Sequence, residues 1–189
     1  MTGRSRTPKS RRVPIRTGRR DWLWGIALGV VALTIAFAAL IALRPSGGKT
    51  FETVAGVDCE SGERLEYHVH SYLAILVEGQ QVPVAANIGI TGRCLFWLHT
   101  HDTSGIIHVE APEQKDFTLG QFFAIWGQRL TSTQVLDHIV DATHNLQVTV
   151  DGQPYSGDPT AIVLKDKESI VIQYGPPFGE APQSPLTQR

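Results

Sequence analysis

The sequence predicts an α+β fold, mostly antiparallel, in which one or two short helices interrupt a series of strand-turn-strand units, preceded by a single N-terminal transmembrane helix. Three observations carry this. Runs with a two-residue period flank glycine-bearing turns between Leu65 and Tyr174. One stretch beginning at Thr118 has a capped helical pattern. Trp22 to Leu43 runs for 22 residues without a charge, between Arg20-Asp21 and Arg44.

The apolar run comes first. It is long enough to cross a hydrocarbon core of about 30 Å. Residues 1–21 in front of it hold Arg4, Arg6, Lys9, Arg11, Arg12, Arg16, Arg19 and Arg20, with Asp21 the only acid. The positive-inside rule makes this a cytoplasmic tail, so the chain lies N-in across the cytoplasmic membrane with its C-terminal domain outside. A cleaved signal peptide is the rival reading, with Ala36-Phe37-Ala38 as its small-x-small site, but its apolar region would be only about 7 to 15 residues. Gly25, Gly29, Ala32, Ala36 and Ala39 share one stripe of this helix, which suits self-association or docking on another membrane subunit.

Residues 44–56 read as a polar linker, 57–175 as an extracytoplasmic folded domain and 176–189 as a disordered, proline-rich tail. The outer part is acidic, with 17 acids from Glu52 onward against Arg64, Arg93, Lys115, Arg129, Lys165, Lys167 and Arg189. Phosphate binding needs a basic face, so no nucleic-acid partner is expected.

Inside the domain, Leu65 to Val77 alternates and turns at Glu78-Gly79-Gln80 into Val82 to Ile90. Cys94 to His101 and Ile106 to Val109 flank the polar turn Asp102-Thr103-Ser104-Gly105. Thr118 and Gln121 form a capping box, Phe117 and Phe122 occupy the staple positions, and Leu119, Phe122, Phe123, Trp126 and Leu130 make one apolar face. A shorter helix is expected from Thr133 to Ile139. Leu146 to Val150 turns at Asp151-Gly152 into Gln153-Pro154-Tyr155, and Ala161 to Leu164 and Ser169 to Tyr174 flank Lys165 to Glu168. The strings Leu73 to Gln80 and Leu146 to Gln153 are alike, which two independently chosen hairpins explain as well as a repeat does.

The chemistry sits in the histidines. Five of the seven fall between 68 and 108, as His68-x-His70, His99-x-His101 and His108. Alternate residues of a strand share a face, so each His-x-His pair offers two imidazoles with metal-ligand spacing. If the Asp102–Gly105 turn closes symmetrically, residues whose numbers sum to 207 face each other. His99 then lies opposite His108, and Trp97 opposite Glu110, with His101 two residues along on the same face. Three imidazoles meet on one patch. His68 and His70 join it only if their strand neighbours this hairpin, which local spacing leaves open. His138 and His144 fall outside the pattern.

Met1 is the only methionine, so the outer domain has no thioether for a Cu(I) or blue-copper site, and imidazole-rich ligation points to Zn(II) or Cu(II). Asp102 and Glu110 are candidates for a fourth ligand or an outer-sphere partner, Glu110 also for a general base, although Asp102 suits its turn without any such role. Cys59 and Cys94, an even pair in an oxidising compartment, form a disulfide rather than a thiolate site.

A strand-borne His-x-His resembles cupins and carbonic anhydrases, yet no acid stands between Tyr72 and Val77 for the cupin glutamate, and the chain is short for the large carbonic anhydrase sheet. His99-Thr100-His101-Asp102 resembles the metallo-β-lactamase motif, but Thr103 and Ser104 stand in place of its Asp-His ending. None of these likenesses extends beyond a few residues, and no family is assigned.

The leading expectation is a membrane-anchored, extracytoplasmic transition-metal-binding domain that serves in metal binding, delivery or sensing, or as an accessory subunit of a membrane complex. A zinc-dependent hydrolase or lyase with a three-histidine site, and Glu110 moving protons, is the alternative. A metal-free interaction domain presenting Phe122, Phe123 and Trp126 is the third.

Overall fold

In the computed structural model, the strands follow in chain order as β1 (Glu52–Val54), β2 (Val57–Glu60), β3 (Tyr67–Val77), β4 (Gln80–Val82), β5 (Leu95–Phe96), β6 (Leu98–His99) and β7 (Ile106–Ala111). After a helix, Leu119–Trp126, come β8 (Leu130–Thr131), β9 (Gln134–Val135), β10 (His138–Ile139), β11 (Asn145–Val150), β12 (Gln153–Pro154) and β13 (Ser169–Gly175). The residues described are 26, 30–35, 37 and 50–188. The chain divides into two units, Met1–Ser46 and Gly47–Arg189. In the first, residues 30–35 are helical. Among the described residues no helix is long and apolar enough to cross a membrane. The basic tail and most of the 22–43 span, including Gly25, Gly29, Ala36 and Ala39, lie outside the described residues.

The second unit is built on a seven-stranded sheet in the order β12-β11-β13-β3-β7-β6, with β4 pairing β3. All its pairings are antiparallel except β13 with β3. The long strand β3 carries β7 along Tyr67 to Tyr72 and β4 along Ile75 to Val77, while β13 lies on its other edge. Its two-residue period separates two environments. Leu73 and Ile75 enter the main core with Phe117, Leu119, Phe122 and Phe123, whereas Tyr72, Ala74 and Leu76 face the other way, in a small cluster with Val171.

Both glycine hairpins form as their sequences require. Glu78 and Gly79, and again Asp151 and Gly152, take left-handed backbone, the pattern of a two-residue turn that matches strand twist. Gly105 fixes the hairpin before β7 against β3. Leu73 N–H donates to the Gly105 carbonyl at 2.8 Å, and a Cβ on Gly105 would meet the Leu73 carbonyl oxygen at 2.3 Å.

The helix has its capping box at Thr118 and Gln121 and ends at Gly127, whose left-handed backbone closes the last turn. The apolar face expected to reach Leu130 therefore stops four residues earlier, at Trp126, and Leu130 belongs to β8. Phe122 and Phe123 are core residues, at 0% and 1% exposure. The expected aromatic surface therefore loses two of its three members to the core, with Trp126 half-buried beside them.

Four other expectations change. Thr133 to Ile139 is not helical; β8, β9 and β10 form a three-stranded antiparallel meander, with Leu136 in left-handed backbone between the last two. Its β-branched Val135 and Ile139 suit short strands. The strand after Gly79 ends at Val82 rather than Ile90, because Pro83 has no N–H to continue a ladder. Residues 162–164 do not pair with 169–174. They bond instead to the lead of the helix, Leu119 N–H to the Ile162 carbonyl and Leu164 N–H to the Phe117 carbonyl, both at 2.8 Å. Lastly, the proline-rich end is ordered through Gln188: Pro185–Gln188 forms a 3-10 turn, Ser184 is buried, and Leu186 packs on the Tyr72, Ala74, Leu76 and Val171 cluster.

Candidate metal centre

Three neighbouring strands, β3, β7 and β6, build the site. Their registers pair His70 with His108, His68 with Glu110, and His108 with His99. Residues directly opposed across antiparallel strands share a face, so all five project to one side of the sheet. The 207 register of the hairpin holds, and Glu110 N–H donates to the Trp97 carbonyl at 2.8 Å, one step further along. His101 follows β6 in a bend, and its ring still reaches His99 and His108, with centroids 4.9 and 4.5 Å apart. The β3–β7 register brings in His68 and His70: their Nε2 atoms are 3.1 Å apart, and the His70 and His108 rings are 4.5 Å apart.

Glu110 is the hub of the acidic side. Its Oε1 lies 3.2 Å from His68 Nε2, 3.6 Å from His108 Nδ1 and 3.9 Å from His99 Nε2, and the residue is only 3% exposed. Burial pushes its carboxyl pKa up, and the charge of Glu63 adds to that.

His99 is fully buried. The loop at Gly89 seals it, since a Cβ there would strike the Leu98 carbonyl oxygen at 2.4 Å. His99 Nδ1 stands 3.0 Å from the Phe96 carbonyl oxygen. A carbonyl only accepts, so Nδ1 carries the proton and Nε2 keeps a bare lone pair, the arrangement that outer-sphere carbonyls impose on metal-binding imidazoles. Burial lowers the His99 pKa to about 4, against the opposing effect of the Phe96 bond. Burial and then the neighbouring imidazoles, His70 foremost, lower that of His108 to about 3. Both rings are neutral at pH 7 and able to donate nitrogen lone pairs.

Three buried atoms at this place have no hydrogen-bond partner: His99 Nε2, His108 Nδ1 and Glu110 Oε2. Orphaned polar atoms in a protein interior are few, and here they converge. The donor atoms of His99, His101, His108 and Glu110 lie within 4.8 Å of one another, and so do those of His68, His70 and His108. A tetrahedral ion with bonds of about 2.0 Å holds its donors about 3.3 Å apart, so small side-chain rotations would suffice. The chain thus has a histidine cluster capable of holding a metal ion.

A cavity of about 320 Å³ opens onto the cluster, lined by His70, His101, Asp102, Ile106, His108, Pro185 and Leu186. Pro185 and Leu186 escaped sequence reasoning, as did the Phe96 carbonyl. A lone leucine among prolines was the only trace of the former. Asp102 is a turn residue: its Oδ1 accepts from Ser104 N–H at 2.8 Å, and hydrogen bonds with Ser104 lower its pKa.

Cys59 and Cys94 are disulfide-bonded and tie β2 to the segment leading into β5 and β6. His138 and His144 sit apart from the cluster, against Tyr174. No family model, no curated protein and no solved structure matches the chain.

Proposed function

We propose that this protein is a membrane-anchored, extracytoplasmic transition-metal-binding protein that holds Zn(II) or Cu(II) through His99, His101 and His108, with Glu110 as fourth ligand or outer-sphere carboxylate. Its task is metal binding, delivery or sensing, or service as an accessory subunit of a membrane complex. The observation that carries this reading is the convergence of His99 Nε2, His108 Nδ1 and Glu110 Oε2, all buried and all without a protein partner. A cation would satisfy imidazole nitrogens and a carboxylate oxygen together. Anchoring rests on the uncharged run from Trp22 to Leu43 behind the arginine-rich tail, and the small-residue stripe would supply the contact with a membrane subunit.

The test is metal analysis of the full-length chain purified in detergent and exposed to Zn(II) or Cu(II). Stoichiometric metal that is lost in both His101→Ala and His108→Ala supports the site; a chain that takes up none rules it out. A reporter fused at either end tests the topology, with the C-terminal fusion expected outside.

The cavity favours a second reading, a zinc-dependent hydrolase or lyase, because it would let water and a small substrate reach His70, His101 and His108. It ranks second. Glu110, the base such chemistry would use, is turned inward among the imidazoles rather than toward the cavity lining.

A further inference from the structure

We propose that the cluster holds two metal ions and that His108 is the ligand they share, one ion bound with His99, His101 and Glu110 and the other with His68 and His70. This rests on the metal-binding reading above and extends it to a second ion.

The sheet order carries the argument. β7 is the middle strand, so His108 stands between the His68/His70 pair of β3 on one side and the His99/His101 pair beside β6 on the other. Its ring touches all four others, at centroid distances of 6.1 Å to His68, 4.5 Å to His70, 5.2 Å to His99 and 4.5 Å to His101. Within each flanking pair the rings also touch, at 4.6 and 4.9 Å. Among the described residues no ring contact joins one flanking pair directly to the other.

One ion does not serve both flanks. Opposite donors of an octahedral centre lie about 4.2 Å apart, twice a bond of about 2.1 Å, so six donors of one ion would form a single tight set. The donors here fall into two sets, His99, His101, His108 and Glu110 in one and His68, His70 and His108 in the other, with His108 alone common to both. An imidazole has two nitrogens on opposite edges, and each can face one ion. Bridging requires the neutral ring to give up its remaining N–H proton to water as the second metal–nitrogen bond forms, leaving an imidazolate with one lone pair for each ion. The negative charge so produced, together with the Glu110 carboxylate, whose Oε1 already lies 3.2 Å from His68 Nε2, offsets the repulsion between the cations.

The experiment loads the full-length chain with Cu(II), removes the excess, and compares copper per chain with the spin count from electron paramagnetic resonance. Two coppers per chain are expected, with a spin count well below two because an imidazolate couples the ions antiparallel. The β3 pair offers the variant: His68→Ala/His70→Ala should halve the copper to one per chain and restore a full single-copper signal. One copper in the unaltered chain overturns the shared site while leaving the proposed function intact. Two coppers with a full, uncoupled spin count overturn the bridge in the same way. No copper at all overturns both readings. Thermal unfolding of the copper-free variant, unchanged from the parent, shows that a loss of copper is not a loss of fold.

Discussion

The protein carries two groups of histidines, and the difference between them separates a cluster capable of holding a metal from structural imidazoles. In the second group, His144 has partners at both nitrogens: Nδ1 lies 2.9 Å from Thr143 Oγ1 and 3.2 Å from Asp141 Oδ1, and Nε2 lies 3.5 Å from Glu78 Oε1. Its ring stacks on Tyr174 at 5.0 Å, and His138 packs on the same tyrosine at 5.1 Å. His144 is thus a half-buried imidazole hydrogen-bonded within its turn, and His138 is a half-buried residue of β10. In the cluster of five, strand register fixes the residues, burial keeps His99 and His108 neutral, and their inward nitrogens are left bare. Proximity to other rings is common to both groups; only the first has lone pairs with nowhere to go.

The largest effect that could break this contrast is on metal content. His101→Ala removes an exposed imidazole of the proposed site without disturbing the core and should lower metal affinity by more than the roughly 10–100-fold typical of an outer-sphere partner. His144→Ala should leave it unchanged. Equilibrium dialysis against Zn(II) measures both, and equal losses in the two variants would abolish the distinction.

Much of the first group was legible in the sequence because it rests on local geometry. The Asp102–Gly105 turn sets the His99–His108 register, and a four-residue turn with a glycine end is readable without tertiary knowledge. The hairpins at Glu78-Gly79 and Asp151-Gly152 and the capped start at Thr118 are legible for the same reason. What sequence left open is long-range. That His70 meets His108 depends on β3 choosing β7 as its neighbour, and the parallel β13–β3 pairing brings together segments nearly 100 residues apart. The meander from Leu130 to Ile139 is not legible locally because Val135, Leu136 and Ile139 fit a helical spacing as well as short strands, and only the pairing of β8, β9 and β10 decides between them. The ordered tail over the cavity depends on a docking surface, Tyr72, Ala74 and Leu76, that exists only once β3 is in place.

The disulfide should give the next largest effect. It closes a 35-residue separation between β2 and the segment leading to the His99 strand. The loop-entropy relation assigns such a crosslink about 3 to 4 kcal/mol. Cys59→Ser/Cys94→Ser should therefore lower the thermal midpoint by many degrees and weaken metal uptake by the cluster. A midpoint unchanged by reductant would show that the crosslink adds nothing to the fold.

Acid sharpens the contrast next, in the metal-free chain. An unfolded histidine titrates near 6.5, whereas folded His99 titrates at about 4 and His108 at about 3. Between these values the unfolded state binds more protons, so stability must fall as pH drops from 6.5. The loss is complete near pH 4 for His99 and near pH 3 for His108. For His99 it amounts to about 3 kcal/mol. Denaturant midpoints between pH 7 and 4 measure it. His108→Gln should flatten the slope and His144→Ala should not, and a parent chain equally stable at pH 7 and pH 4 would contradict the burial of neutral imidazoles.

The smallest expected effect concerns Glu110, which separates holding a metal from holding the fold. Its carboxyl is buried and its pKa raised, so its charge costs more in the folded chain than in water. Glu110→Gln keeps the shape and removes that penalty, so the metal-free unfolding midpoint at pH 7 should hold or rise. Metal affinity should move the other way, falling roughly 10–100-fold as the carboxylate that faces His68, His99 and His108 is lost. Calorimetry with Zn(II) reads the affinity and thermal unfolding reads the fold. If the two fell together, Glu110 would be a structural partner of the kind His144 has in Asp141. If affinity falls while stability does not, the carboxylate belongs to the metal rather than to the sheet.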